Sequence, residues 1–340
     1  MKGKNNHVIL FVVAICIPML LLTGCGREVS RTEFVLGTIC TIRIFGGNES
    51  DLDAAFARIR QIEKAMSRHR SDSEVTKIGR DGAEGMQLTT ETCQVMKKGL
   101  EYGRLSDGLF DITIAPVAEL WGFETEHAAV PASEAMHDAL TKVDYRQVRL
   151  HNDCRLTSAP GQRIDLGAIA KGYASDEVAR LLQKAGVQRA LINLGGNVFV
   201  YGKKNDGKPW KLGIQDPLEQ TGIPMGTLDV EGGAVVTSGI YERFVEQDGK
   251  KYHHLLDPRT GYPIANNLAG VSITTPSGID ADALSTSLFL LGMDKGCALL
   301  NRFPDSGAVF ITKDREITTC GTASTVFTSL NDVYTVVDRR

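Results

Sequence analysis

Apolar residues recur three and four positions apart through Leu52, Ala55, Phe56, Ile59, Ile62 and Met66, behind an acidic start at Asp51 and Asp53. At 3.6 residues per turn this spacing gathers the apolar side chains on one helical face, and acidic residues suit the positive end of the helix dipole. The same periodicity predicts a helix over 90–106, stopped by Asp107-Gly108, and an amphipathic helix over 171–185. A further, almost wholly apolar helix opens at Asp280 and runs through Leu288-Phe289-Leu290-Leu291. Runs rich in Val, Ile and Thr read as strands over 34–45, 148–150, 190–194, 226–230, 234–238, 268–274 and 308–311. No repeat, low-complexity tract or linker separates them. The expectation is therefore an α+β protein: a single large domain of mixed sheets with flanking helices over 33–340, either undivided or made of two closely joined sub-domains.

The first residues have a different pattern. Lys2 and Lys4 precede an apolar run over 8–22 that is short for a membrane span and ends in Leu22-Thr23-Gly24-Cys25. Small residues followed by Cys resemble the signal of a bacterial lipoprotein. On that reading residues 1–24 are cleaved, Cys25 carries acyl chains such as palmitate, and 25–32 form a polar tether to the periplasmic, outer face of the cytoplasmic membrane. A signal anchor and a plain cleaved signal are the alternatives.

The formal charge of −3 becomes more negative once Lys2 and Lys4 are removed, and no basic run follows, which speaks against an electrostatic nucleic-acid binder. Beyond Cys16 and Cys25, Cys40, Cys93, Cys154, Cys297 and Cys320 are scattered without a Cys-x-x-Cys pair, disfavouring zinc and iron-sulfur sites. Being odd in number, they leave at least one thiol free. Cys40, Cys93 and Cys297 lie in apolar surroundings and are expected to pack as small hydrophobes.

Three segments carry candidate chemistry. Asp282 and Thr286 stand four apart on one helical face, hard oxygen ligands suited to Mg2+, although Asp in a first turn also serves as a cap. Lys171-Gly172 lies where the chain turns into a helix, as either a phosphate receptor or an ordinary strand-to-helix turn would, with Asp165, a helix-start residue or a ligand contact, and the Ala168 carbonyl in the same turn. His253-His254 ends a strand before Asp257-Pro258-Arg259-Thr260-Gly261. Alternation sends the two imidazoles to opposite faces, so one can serve as a general base while the other is structural. The strip 110–117 leading to Trp121 suits either a planar ring or a core, and Gly195-Gly196-Asn197 and Thr237-Ser238-Gly239 suit either ligand approach or turns.

Taken together, Leu36-Gly37-Thr38, residues 66–74, Phe110-Asp111-Ile112-Thr113, Leu120-Trp121-Gly122-Phe123, residues 165–173, Asn193-Leu194-Gly195-Gly196-Asn197, Thr237-Ser238-Gly239, residues 253–261 and 281–286 resemble the ApbE family of bacterial FAD:protein FMN transferases. The resemblance implies Mg2+ on the Ala168 carbonyl, Asp282 and Thr286, and His254 as the base. It implies FAD contacts at Leu36, His69, Ala115, Pro116, Val117, Trp121, Asp165, Lys171, Ser238 and Leu256. Leu36 replaces the family's usual Met and His69 its usual aromatic. The implied reaction is attack of a Thr or Ser hydroxyl on the FMN phosphorus of FAD, releasing AMP. Its acceptors are membrane-associated flavoprotein subunits of redox complexes of the Rnf and Nqr type. An FAD pyrophosphatase and a non-catalytic FAD-storage lipoprotein are the alternatives.

Overall fold

The computed structural model describes residues 28–204, 206–220 and 222–337. The expected signal and Cys25 lie outside them.

The stretch expected as one strand is a hairpin. Glu28–Val35 pairs antiparallel with Thr38–Phe45, and the two turn residues Leu36 and Gly37 have φ of 57° and 68°. Positive φ at both central positions gives the turn whose twist matches right-twisted strands, and a Leu there hides the signal that Asn-Gly would give. Residues 28–32, expected in the tether, belong to this hairpin. Val29 packs against the core, and Arg31 pairs with Glu49 at 2.7 Å and Asp53 at 2.5 Å.

This hairpin begins a nine-stranded sheet, continuing through Arg189–Leu194, Asn197–Tyr201, Gly233–Gly239, Leu268–Thr275, Gly307–Thr312, Glu316–Gly321 and Thr335–Val336. All neighbours are antiparallel except the last pair. Because successive strand residues point to opposite faces, the strands feed two cores. Ala234, Val236, Ala308 and Phe310 join the core beneath the helices Glu49–Met66, Ala170–Lys184 and Gly278–Leu291. Val235, Val309 and Ile311 join a second core beneath a three-stranded sheet of Trp210–Gln215, Pro224–Val230 and Phe327–Ser329. A smaller cluster gathers around Trp121 and Met136. The architecture is α+β, as the sequence pattern predicts.

Two helices meet in the middle and position the site. A Cβ added to Gly172 would lie 2.1 Å from the Gly278 carbonyl oxygen, so only glycine allows this approach. The Asp176 carboxylate accepts the Gly278 and Ile279 N–H groups at 2.7 and 2.9 Å, capping one helix from the other. Cys93 bonds to Cys154 and Cys297 to Cys320, so two of the cysteines expected to pack as free hydrophobes are disulfide halves. Their partners lie 61 and 23 residues away, a pairing that sequence spacing does not reveal. Cys40 is buried and free.

Candidate active site

A cavity of about 1280 Å³ opens where the hairpin turn, the Ala170–Lys184 helix start, the 193–197 turn and the Gly278–Leu291 helix converge. Leu36, His69, Asp165, Ala168, Lys171, Ser238, His254, Leu256, Asp282 and Thr286 line it. Ala115, Pro116, Val117 and Trp121 do not. They are the buried residues of a short helix, Ala115–Trp121, and the Trp121 indole N–H donates to the Gly261 carbonyl at 2.7 Å while its ring stacks on Phe123. Their neighbours Ile114, Ala118 and Phe123 face the cavity instead.

The oxygen cluster is built by the glycine contact. Helix geometry would give the Gly172 N–H to the Ala168 carbonyl, but it donates to Asp282 Oδ2 at 2.9 Å. Among the described residues no hydrogen bond reaches the Ala168 carbonyl. A buried carboxylate, a carbonyl without a donor and the Thr286 hydroxyl therefore border one cavity, a hard-oxygen set fitting Mg2+. Ser238 Oγ lies 2.9 Å from Ser285 Oγ and 3.4 Å from Thr286 Oγ1, fixing that hydroxyl's surroundings. No group of three His, Cys, Asp or Glu able to hold a metal occurs among the described residues, which leaves this mixed set as the candidate. Asp280, two positions earlier, takes the structural role, accepting from Lys98 and Tyr102 at 2.8 Å each.

Lys171 donates to the Gly167 carbonyl at 3.0 Å and lies 3.9 Å from Asp282 Oδ1. No side chain caps this helix start, so its positive end stays open to an anion.

The two histidines part as alternation predicts. His253 is buried edge-on against Phe289, and its Nδ1 has no hydrogen-bond partner among the described residues. Burial, with Lys313, pushes it down to about 4. His254 borders the cavity. Its backbone N–H donates to the Arg243 carbonyl at 3.1 Å, and its Nδ1 lies 3.3 Å from the same oxygen. Nδ1 is thus the donor and Nε2 carries the free lone pair. Burial, then Arg243, pushes His254 down to about 3, so it is neutral and able to accept a proton.

A charged network that the periodicity did not expose edges the cavity. Glu124 accepts from Arg68 at 2.8 Å, lies 2.7 Å from His69 Nε2 and pairs with Arg243. Burial works to raise its pKa, but Arg243, Arg68 and His69 outweigh that and hold it low. Arg68 also pairs with Asp165 at 3.0 Å. Arg68 sits inside the 66–74 segment singled out above; Glu124 and Arg243 gave no signal, because their partners are far away in the chain.

A model of the ApbE family matches residues 36–311. The chain belongs to the ApbE family. It is 36% identical to an FAD:protein FMN transferase of Treponema pallidum, with 90% of this chain and 91% of that one covered. It is 33% identical to one of Klebsiella pneumoniae, over 92% and 98%. Among solved structures, an ApbE protein of Thermotoga maritima superposes with a TM-score of 0.80 at 30% identity, covering 88% of this chain and 99% of that one. The flavin transferase ApbE of Vibrio cholerae gives a TM-score of 0.80 at 26% identity and the same coverage. The shared ApbE fold thus extends over nearly the whole of the described chain.

Proposed function

We propose that this enzyme transfers FMN from FAD to a Thr or Ser hydroxyl of a membrane-associated redox protein and releases AMP. The observation that carries the reading is the convergence, in one dinucleotide-sized cavity of an ApbE-family chain, of the Asp282, Thr286 and Ala168 oxygens with a histidine whose Nε2 is free. The hydroxyl attacks the FMN phosphorus, His254 Nε2 takes its proton, and the bond to the AMP phosphate breaks with its electron pair on AMP. Lys171 and the open helix start hold the pyrophosphate, and the Arg68–Asp165 pair meets the flavin or ribose side. Asp282, Thr286 and the Ala168 carbonyl would hold Mg2+, which when bound would neutralise charge on the pyrophosphate. A lipid on Cys25 would confine the enzyme to the membrane surface, raising the effective concentration of acceptors there.

Mass spectrometry after incubation with FAD, Mg2+ and an acceptor bearing the target Thr tests the reading. The expected result is an acceptor that gains FMN through a bond stable to denaturation, in amounts matching the AMP released. AMP formed while an acceptor from the same organism stays unflavinylated would make the protein an FAD pyrophosphatase instead.

A further inference from the structure

The cavity wall carries a carboxylate that the transfer step above leaves without a task. Glu242 Oε2 lies 3.8 Å from Nε2 of His254, the side of the ring left open when Nδ1 turns to the Arg243 carbonyl. The base has two standing cations near it. Arg243 and Lys171 each oppose a positive charge on the ring. An imidazolium formed there needs an anion in contact, and a carboxylate 4–6 Å or closer favours such a charge by ~1–3 pKa units.

We propose that Glu242 is a positioning residue for the base: its ionised carboxylate steadies the imidazolium that His254 becomes on taking the acceptor's proton. The inference rests on the transferase reading. As the acceptor's O–H bond breaks, the proton goes to Nε2, the new P–O bond forms and AMP departs with the electron pair of the old one. Glu242 meets the positive ring by charge and, as the stronger base of the two, passes its proton on to solvent before returning to the ionised form.

The surroundings of Glu242 set when it carries its charge. Desolvation in the cavity wall pushes its carboxyl up to about 7, although the side chain is 36% exposed, against the pull of Lys171 from one helix and Arg243 beside it, with Asp282 from the other helix pushing the same way as desolvation. Arg243 is itself shared with Glu124. Glu242 therefore ionises in the neutral range, and the rate should fall on acidification through about 7 while His254 is still unprotonated in the resting enzyme.

Glu242→Gln, which keeps the shape and removes the charge, tests this. Turnover in FMN transfer should drop ~10–100-fold, with KM for FAD changed less than about threefold, and the acid limb near neutrality should disappear. Glu242→Asp, which keeps a carboxylate, should retain the limb. A readout independent of turnover is the 15N shift of the His254 ring between about pH 5.5 and 8.5, identified by its loss in His254→Gln. It should inflect near neutrality in the unsubstituted protein and not in Glu242→Gln. The same inflection in both proteins overturns the proposal, whether or not FMN is transferred. If the unsubstituted protein transfers no FMN, the functional reading fails, and the ring shifts still decide the role of Glu242.

Discussion

His253 and His254 are adjacent in sequence and opposite in surroundings, and their substitutions should separate accordingly. His254→Ala removes the base and should cut turnover by ~10²–10⁴-fold while flavin titration shows little change in FAD affinity. His253→Ala empties a buried site against Phe289 and should lower the midpoint of urea unfolding instead, with turnover per folded molecule nearly kept. Equal losses of turnover from the two would contradict this division. Both rings also set an acid limit. Their folded pKa values, about 4 and about 3, lie below the ordinary 6.5, so between those values the unfolded chain binds protons that the folded one refuses. Stability from this source is complete above 6.5 and is lost as pH falls toward 3. Glu242, raised to about 7 from 4.5, runs the other way: its contribution is complete below 4.5 and is lost as pH rises through 7. His253→Ala should therefore flatten the decline in unfolding free energy between about pH 6.5 and 4, measured by urea titration at several pH values.

At the scale of elements, the site depends on how closely the Ala170–Lys184 and Gly278–Leu291 helices approach. Gly172→Ala would push a methyl group into the Gly278 carbonyl, 2.1 Å away, and the helices would have to separate. Overpacking of this kind costs ~1–3 kcal/mol, and here it would also pull the Gly172 N–H from Asp282. The expected outcome is a lower thermal midpoint together with weaker Mg2+ stimulation of AMP release; unchanged values of both would exclude the coupling. The sequence revealed these helices because each repeats its apolar residues over several turns, and it offered Asp282, Thr286 and His254 as candidates, all of which border the cavity, because helix spacing and the strand end at His253 limit where these side chains can point. The Leu36-Gly37 turn stayed hidden because a Leu occupies a positive-φ position. Trp121 was drawn toward the cavity by its ring, but burial among Phe123, Tyr252 and Tyr262 and a bond to Gly261 make it core. The Glu124 network was illegible for a different reason. Its pairs with Arg68 and Arg243 span 56 and 119 residues, and no local period encodes contacts at that range.

Across the whole molecule, each of the two disulfides ties a helix to the strands beside it, the first next to the short ladder of Met86–Gln87 on Arg155–Leu156. Cys93 anchors the Thr90–Leu105 helix to the turn at Cys154, and Cys297 ties the Met293–Leu300 helix to the sheet at Cys320. Such bonds persist in oxidising compartments, the same environment that the proposed export signal and lipidated Cys25 require. Cys40 stands apart: it is buried, donates to the Val35 carbonyl, and its thiol is pushed up to about 11 by burial, so it stays protonated and shielded. Among Cys40, Cys93, Cys154, Cys297 and Cys320, none should therefore react with a thiol reagent in the folded protein, one should after denaturation without reductant, and the rest only after reduction. Breaking the Cys93–Cys154 link by the double change to Ser should lower unfolding free energy by ~2–5 kcal/mol, since it frees a loop of 61 residues in the unfolded chain. A protein purified from its native cells that showed all these thiols without reduction would contradict both the pairing and the oxidising location proposed for it.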